Sequence, residues 1–221
     1  MDLIPSETSL VIAGAWNAAI LTPAWVQQHG LNRPIGEPGR VQVFLPAMQG
    51  ATFEFPRYSL DEFTYVVRPD TLIVAPNGAT PDRFEVAETA IARILRVLPH
   101  TPISGIGHNF EFRDVAPTPG DVAVFTASRQ DLVDQMPAGW EPAGIVIAST
   151  FKNLAETVQV NIQRQWDGGS LSVKFNFHHI VPNMEQAIAV LEGTNDYLQM
   201  AGNLELARRL IGSLYGNGKN D

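Results

Sequence analysis

Dry and wet side chains alternate through two stretches of the C-terminal half, and the rest of the chain is organised around them. Across 156–166, Val158, Val160, Ile162 and Trp166 share one parity, while Gln159, Asn161, Gln163 and Gln165 take the other. Across 170–180, Leu171, Val173, Phe175 and Phe177 share one parity, with Ser172, Lys174 and Asn176 opposite. Successive strand side chains point to opposite faces, so the pattern predicts a hairpin that is half buried. Asp167-Gly168 suits a two-residue turn of the I′ kind. That turn sets Ile162 opposite Val173, Val160 opposite Phe175 and Val158 opposite Phe177. A slip of one residue would oppose dry rows to wet ones, so the register is well specified.

Further strands are expected at 9–16, 41–45, 51–55, 62–67, 71–75, 103–114, 121–126 and 144–150. Arg68-Pro-Asp-Thr71 supplies turn chemistry between two of them. Helices follow from capping signals and the 3.6-residue period. Thr22-Pro23 opens a short helix that Gly30 stops, and Thr80-Pro81-Asp82 opens a long one. Phe84, Ala87, Ile91, Ile94, Leu95 and Leu98 form the dry stripe of that long helix, with Arg83, Glu88, Arg93 and Arg96 assigned to its outer face. A short helix is expected at 129–135. Asn183 caps a second long helix with Gln186 three residues on, and its stripe runs from Met184 through Ala187, Ile188 and Leu191 to Leu198. Gly193 is a weak point within it. Asn203 caps a last helix that Gly216 ends.

Set side by side, a first half (1–115) and a second half (120–216) each read strand, short helix, several strands and a long capped helix. The proline-rich 115–120 stretch separates them, and 217–221 reads as a flexible tail. The expectation is an α+β fold packed as one globular unit. A large, mostly antiparallel sheet carries two long helices on one face, and the order of elements suggests internal duplication of a β-α-βββ-α unit.

Composition narrows the functional classes. The net charge of −8 disfavours non-specific nucleic-acid binding, which needs a positive field. Arg33, Arg40, Arg57 and Arg113 would have to cluster in space to reverse that. The absence of cysteine excludes disulfides, thiolate metal sites and a cysteine nucleophile. The acidic start, Met1-Asp-Leu-Ile-Pro-Ser-Glu, does not read as an export signal, and no apolar run reaches membrane-spanning length, so a cytoplasmic protein is expected.

Chemistry-bearing residues are sparse. His178 and His179 are adjacent on a strand and point to opposite faces, which excludes a tandem metal pair; no metal and no cofactor is expected. His179 falls on the dry parity with Phe177, as does His108 with Phe110. Both read as core-edge histidines, or, if their strands are neighbours, as the lining of a polar pocket. Asn109, Glu111 and Arg113, with Asn176 and His178, fall on the wet parity and define a polar patch on the open sheet face. Gly105-Ile-Gly107 lacks the third glycine of a phosphate-binding turn and reads as a place of close approach. His29 and His100 sit at helix ends, where a cation complements the dipole. Trp140, in a loop between Pro137 and Pro142, is either an internal plug, the favoured reading, or an exposed anchor for a partner.

No nucleophile elbow, Walker loop or zinc-protease signature is present. The expected function is therefore a non-catalytic interaction or assembly protein, using a sheet face or edge to bind a protein partner or itself. The alternative is an enzyme or small-ligand binder with a pocket between sheet and helices near His108 and His179.

Overall fold

The computed structural model describes residues 1–34, 36, 39–45, 55–127, 134–153, 155 and 157–215. Among them ten strands form one sheet: β1 (Asp2–Leu3), β2 (Ser9–Gly14), β3 (Gln42–Phe44), β4 (Arg57–Ser59), β5 (Phe63–Val67), β6 (Thr71–Pro76), β7 (Ile103–Asp114), β8 (Ile145–Lys152), β9 (Val158–Trp166) and β10 (Leu171–Ile180). Their spatial order is β3-β4-β5-β6-β2-β7-β10-β9-β8, with β1 also paired to β7. Every pairing is antiparallel. The two longest central strands, β7 and β10, face each other from Leu171↔Asp114 to Ile180↔Gly105.

One face of this sheet is dry. Leu10, Ile12, Tyr65, Leu72, Val74, Ile106, Phe110, Val173, Phe175 and Phe177 are all buried on it. Each fully buried Phe ring contributes about 2–3 kcal/mol of transfer free energy. The rings tile across strands: Phe110 meets Phe177 edge-on at 6.1 Å and Phe112 meets Phe175 at 5.9 Å. Five α-helices and a short 3-10 helix (Pro5–Glu7) complete the described chain: α1 (Pro23–His29), α2 (Pro81–Val97), α3 (Pro119–Ala127), α4 (Met184–Glu192) and α5 (Met200–Tyr215). Buried residues of α2, α4 and α5 join the strands in one continuous apolar cluster. Phe125 of α3 packs with Ile145 and Leu171 in a second, smaller cluster at the β8 end. The expected one-sided α+β sheet is present.

The alternation does not predict β1 or β4, and four further details differ from the sequence reading. The hairpin turn holds four residues, not two: Leu171 faces Trp166, Phe175 faces Ile162 and Phe177 faces Val160. Asp167 causes this, because its carboxylate accepts from the backbone N–H groups of Gly169 and Ser170. The shift is by two residues, so each side chain keeps its face. Residues 121–126 are helical, not a strand. Thr118 and Asp121 form a reciprocal cap, with the Thr118 N–H donating to Asp121 Oδ2 and the Asp121 N–H to Thr118 Oγ1. The helix from Asn183 stops at Glu192, because Gly193 adopts a left-handed φ of 62°. Leu198 consequently lies outside α4 and is 47% exposed. Finally, Asn203 lies inside α5 and does not cap it. The expected strand at 51–54, helix at 129–133 and tail at 217–221 lie outside the described residues.

Candidate functional site

Two polar groups flank the centre of the sheet, one on each face. The first is sealed under the helices. His108 on β7 and His179 on β10 have their rings 5.0 Å apart and are 0% and 1% exposed. Asn203 reaches down from α5, its amide nitrogen 2.8 Å from His108 Nδ1 and 3.3 Å from His179 Nε2. A nitrogen that donates to His108 Nδ1 leaves the proton of that ring on Nε2. His108 Nε2 faces Glu88 Oε1 of α2 at 3.7 Å, beyond hydrogen-bond reach. Glu88 Oε1 in turn accepts from the Met200 N–H at the start of α5, at 2.9 Å. Glu88 is 1% exposed, which corrects its assignment to the outer face of α2. It stands four residues after Phe84, on the same stripe.

Burial governs the charges of this cluster. It pushes Glu88 up to about 8, against the opposing pull of the Met200 N–H. It holds His179 down to about 4 and His108 well below the usual imidazole range. At neutral pH the cluster is therefore mainly uncharged, which is the form a dry interior tolerates. Its arrangement ties α2, α5, β7 and β10 together. Among the described residues no three or more His, Asp or Glu side chains are grouped to hold a metal ion.

The second group lies on the opposite face, which no described α-helix covers. Asn109, Asn161 and Asn176 stand in register on β7, β9 and β10. Asn161 donates to Asn176 Oδ1 at 3.1 Å, Asn176 to Asn109 Oδ1 at 2.7 Å, and Asn109 to Ser9 Oγ at 3.2 Å. Thr150 closes the row from β8 by donating to Asn161 Oδ1. The result is an amide and hydroxyl ladder across five neighbouring strands, β8-β9-β10-β7-β2. Beside it, Glu111 is pinned by Arg113 at 2.8 Å and Lys174 at 3.3 Å. A cleft of about 440 Å³ opens over this floor and includes Glu7, Ser9, Glu111 and Lys174 in its lining.

The structure thus brings Asn109, Glu111, Arg113 and Asn176 together on the open face, as the alternation implied. His178 lies along the same face, its ring over Gly105: a Cβ there would meet His178 Cε1 at 2.5 Å. That contact is the close approach the glycine permits. Trp140 is 67% exposed, so it is no plug; it stands in the loop before β8, and nothing described there covers it. Ser9, Thr150 and Asn161 belong to the ladder but were not singled out from the sequence. Asn161 had the right parity; only the pairing of β9 with β10 and of β2 with β7 places it beside Asn176 and Ser9 in line. Of the arginines, Arg33 is paired to Asp61 and Glu62, and Arg113 to Glu111.

Compared with known proteins, the chain matches no family model and no curated sequence at a significant level. Among the described residues no helix is long and apolar enough to cross a membrane.

Proposed function

We propose that this chain is a cytoplasmic, non-catalytic interaction protein that docks a partner polypeptide on the open face of its sheet. The observation that carries this reading is the amide ladder. Five adjacent strands present mutually hydrogen-bonded Thr150, Asn161, Asn176, Asn109 and Ser9 on a face that no described α-helix covers. Side chains held by one another lose little freedom on docking, and each amide keeps further donor and acceptor capacity for a partner. Glu111, Arg113 and Lys174 add a fixed charge pattern that selects among partners. The alternative of a pocket at His108 and His179 requires a cavity open to solvent, and both side chains are closed off. The same reading takes the halves as a duplicated unit. It is supported by strand order: β3–β6 of the first half lie on one side of the central β2–β7 pair, and β8–β10 of the second half lie on the other.

The chain contains three lysines, and two of them, Lys152 and Lys174, lie on the open face. Lysine-directed cross-linking of the protein with proteins retained from its native host therefore reports on this surface. Cross-links through Lys174 and Lys152, and loss of the partner on Asn161→Arg substitution, are the expected results. A partner that links through neither lysine and binds the variant equally well removes the open face from consideration.

A further inference from the structure

Among the described residues β8 ends the sheet on one side, and the helices reach it at Ile145, where Phe125 of α3 packs. Between this strand and α5 runs a dry groove of about 380 Å³, lined by Phe151, Val160, Ile162, Leu206, Leu210 and Leu214 among others. Phe151 is 58% exposed and Leu214 49%. Edge strands of isolated proteins normally carry a charge, a proline or a bulge that blocks pairing with another chain. From Ile145 to Phe151 this strand has neither a charge nor a proline, and Lys152 stands only at its end. Two copies of a chain with net charge −8 repel each other over most of their surface. A neutral strand bordered by a mainly dry groove, whose one charged lining residue is Arg164, is where they can meet with few like charges opposed.

We propose that β8 pairs antiparallel with β8 of a second copy, about a two-fold axis perpendicular to the sheet and passing through Ser149. Such an axis keeps each face of the sheet on its own side, so residues of equal parity oppose one another. Centring on Ser149 sets Ile147 against the partner's Phe151, twice by symmetry, on the groove side. On the open side it sets Ala148 against the partner's Thr150. Centring on Thr150 makes no such double match, and centring on Ala148 would oppose Phe151 to Ile145, which Phe125 of its own chain already covers. The pairing needs the outer backbone edge of 147–151 only. The paired span 147–151 is ~16 Å long at ~3.3 Å per residue, so even with the groove the contact is at the small end for a specific dimer, ~600 Å² per copy. A dimer that dissociates on dilution follows. Both open faces then lie on one side of a continuous sheet, with their amide ladders next to each other. The proposal does not depend on what docks there.

Because the natural chain has no cysteine, Ser149→Cys places a single reporter on the proposed axis, where facing Cβ atoms suit a disulfide. The expected results are a mass of twice the chain at high micromolar concentration and rapid disulfide-linked dimer formation by Ser149→Cys under mild oxidation. Arg68→Cys, at the β5–β6 turn, should link far more slowly. Phe151→Asp should run as a monomer with unchanged circular dichroism and melting temperature. A wild-type monomer at high concentration overturns the proposal. So does a dimer that Phe151→Asp leaves intact, or a Ser149→Cys chain that links no faster than Arg68→Cys. Asn161→Arg on the open face should keep the dimer, and Phe151→Asp should keep any partner held by the ladder, so failure of one reading is separable from failure of the other.

Discussion

Replacing Glu88 by glutamine should abolish a loss of stability that the wild-type protein shows between pH 6.5 and 8. In the folded chain Glu88 holds its proton until about 8, against an ordinary value of 4.5. Between those values the folded state binds more protons than the unfolded state, so stability falls as pH rises, and the fall is complete above the folded value. The slope is about 1.4 kcal/mol per pH unit, which gives roughly 2 kcal/mol between pH 6.5 and 8. The histidines act at lower pH and with opposite sign. His179 titrates at about 4 when folded and 6.5 when not. The unfolded chain therefore gains a proton first as pH falls below 6.5, and stability drops toward pH 4. His108 works in the same direction. The histidine contribution flattens only above about pH 7.5, and below that it cancels in the difference between the two proteins, which isolates Glu88. Glutamine keeps an oxygen to accept from the Met200 N–H and carries no charge at any pH. Urea denaturation at half-unit steps from pH 6 to 8.5, read as the difference between the two proteins, cancels every group they share. A wild-type stability that does not decline relative to Glu88→Gln over this range refutes the picture of a neutral, sealed carboxyl.

Other consequences follow from the same geometry. Asn203→Leu strips the hydrogen-bond partner from both buried imidazoles and should cost about 2–4 kcal/mol in chemical denaturation. Phe177→Ala opens a cavity beneath β7 and β10 and should cost about 3–5 kcal/mol by the same assay. Gly105→Ala forces the His178 ring off the strand. Because a side chain and not the backbone must move, the stability change should stay within about 1 kcal/mol while the His178 ring resonances shift in an NMR spectrum.

Much of the architecture is legible in the alternation, and its failures have definite causes. Parity placed Val160, Phe175 and Phe177 on the dry face correctly even though the hairpin register was off by two residues, because an even slip preserves faces. What the pattern could not register was the Asp167 carboxylate, which accepts from two backbone N–H groups and holds a four-residue loop where two residues would serve. Residues 121–126 misled for the opposite reason: Val122 and Val124 alternate like a strand, but Thr118-Pro-Gly-Asp121 is a helix start, and the cap prevailed over the alternation. Glu88 was assigned by charge to the solvent side of α2, although its spacing from Phe84 and Ile91 set it on the buried stripe. Asn203 was taken for a cap because asparagine usually serves as one. Its role depends on His108 and His179, 95 and 24 residues away in sequence, and no local pattern encodes such a meeting.

The two polar groups on either side of the sheet have opposite physical characters, and the contrast bears on function. Beneath the helices, Glu88, His108 and His179 sit beside the neutral Asn203 and can exist without water only by giving up their charges, so that side is fixed and responds to pH through stability alone. On the open side, Glu111 is paired with Arg113 and Lys174 beside a ladder that still has hydrogen-bonding capacity, so that side can exchange water for a partner. β7 and β10 contribute to both: His108 is followed by Asn109, and Asn176 lies three residues before His179. A substitution that tilts either strand therefore disturbs the buried cluster and the ladder together. Stability measured against pH and partner capture measured at fixed pH should respond jointly to such a change, and independently to changes confined to one face.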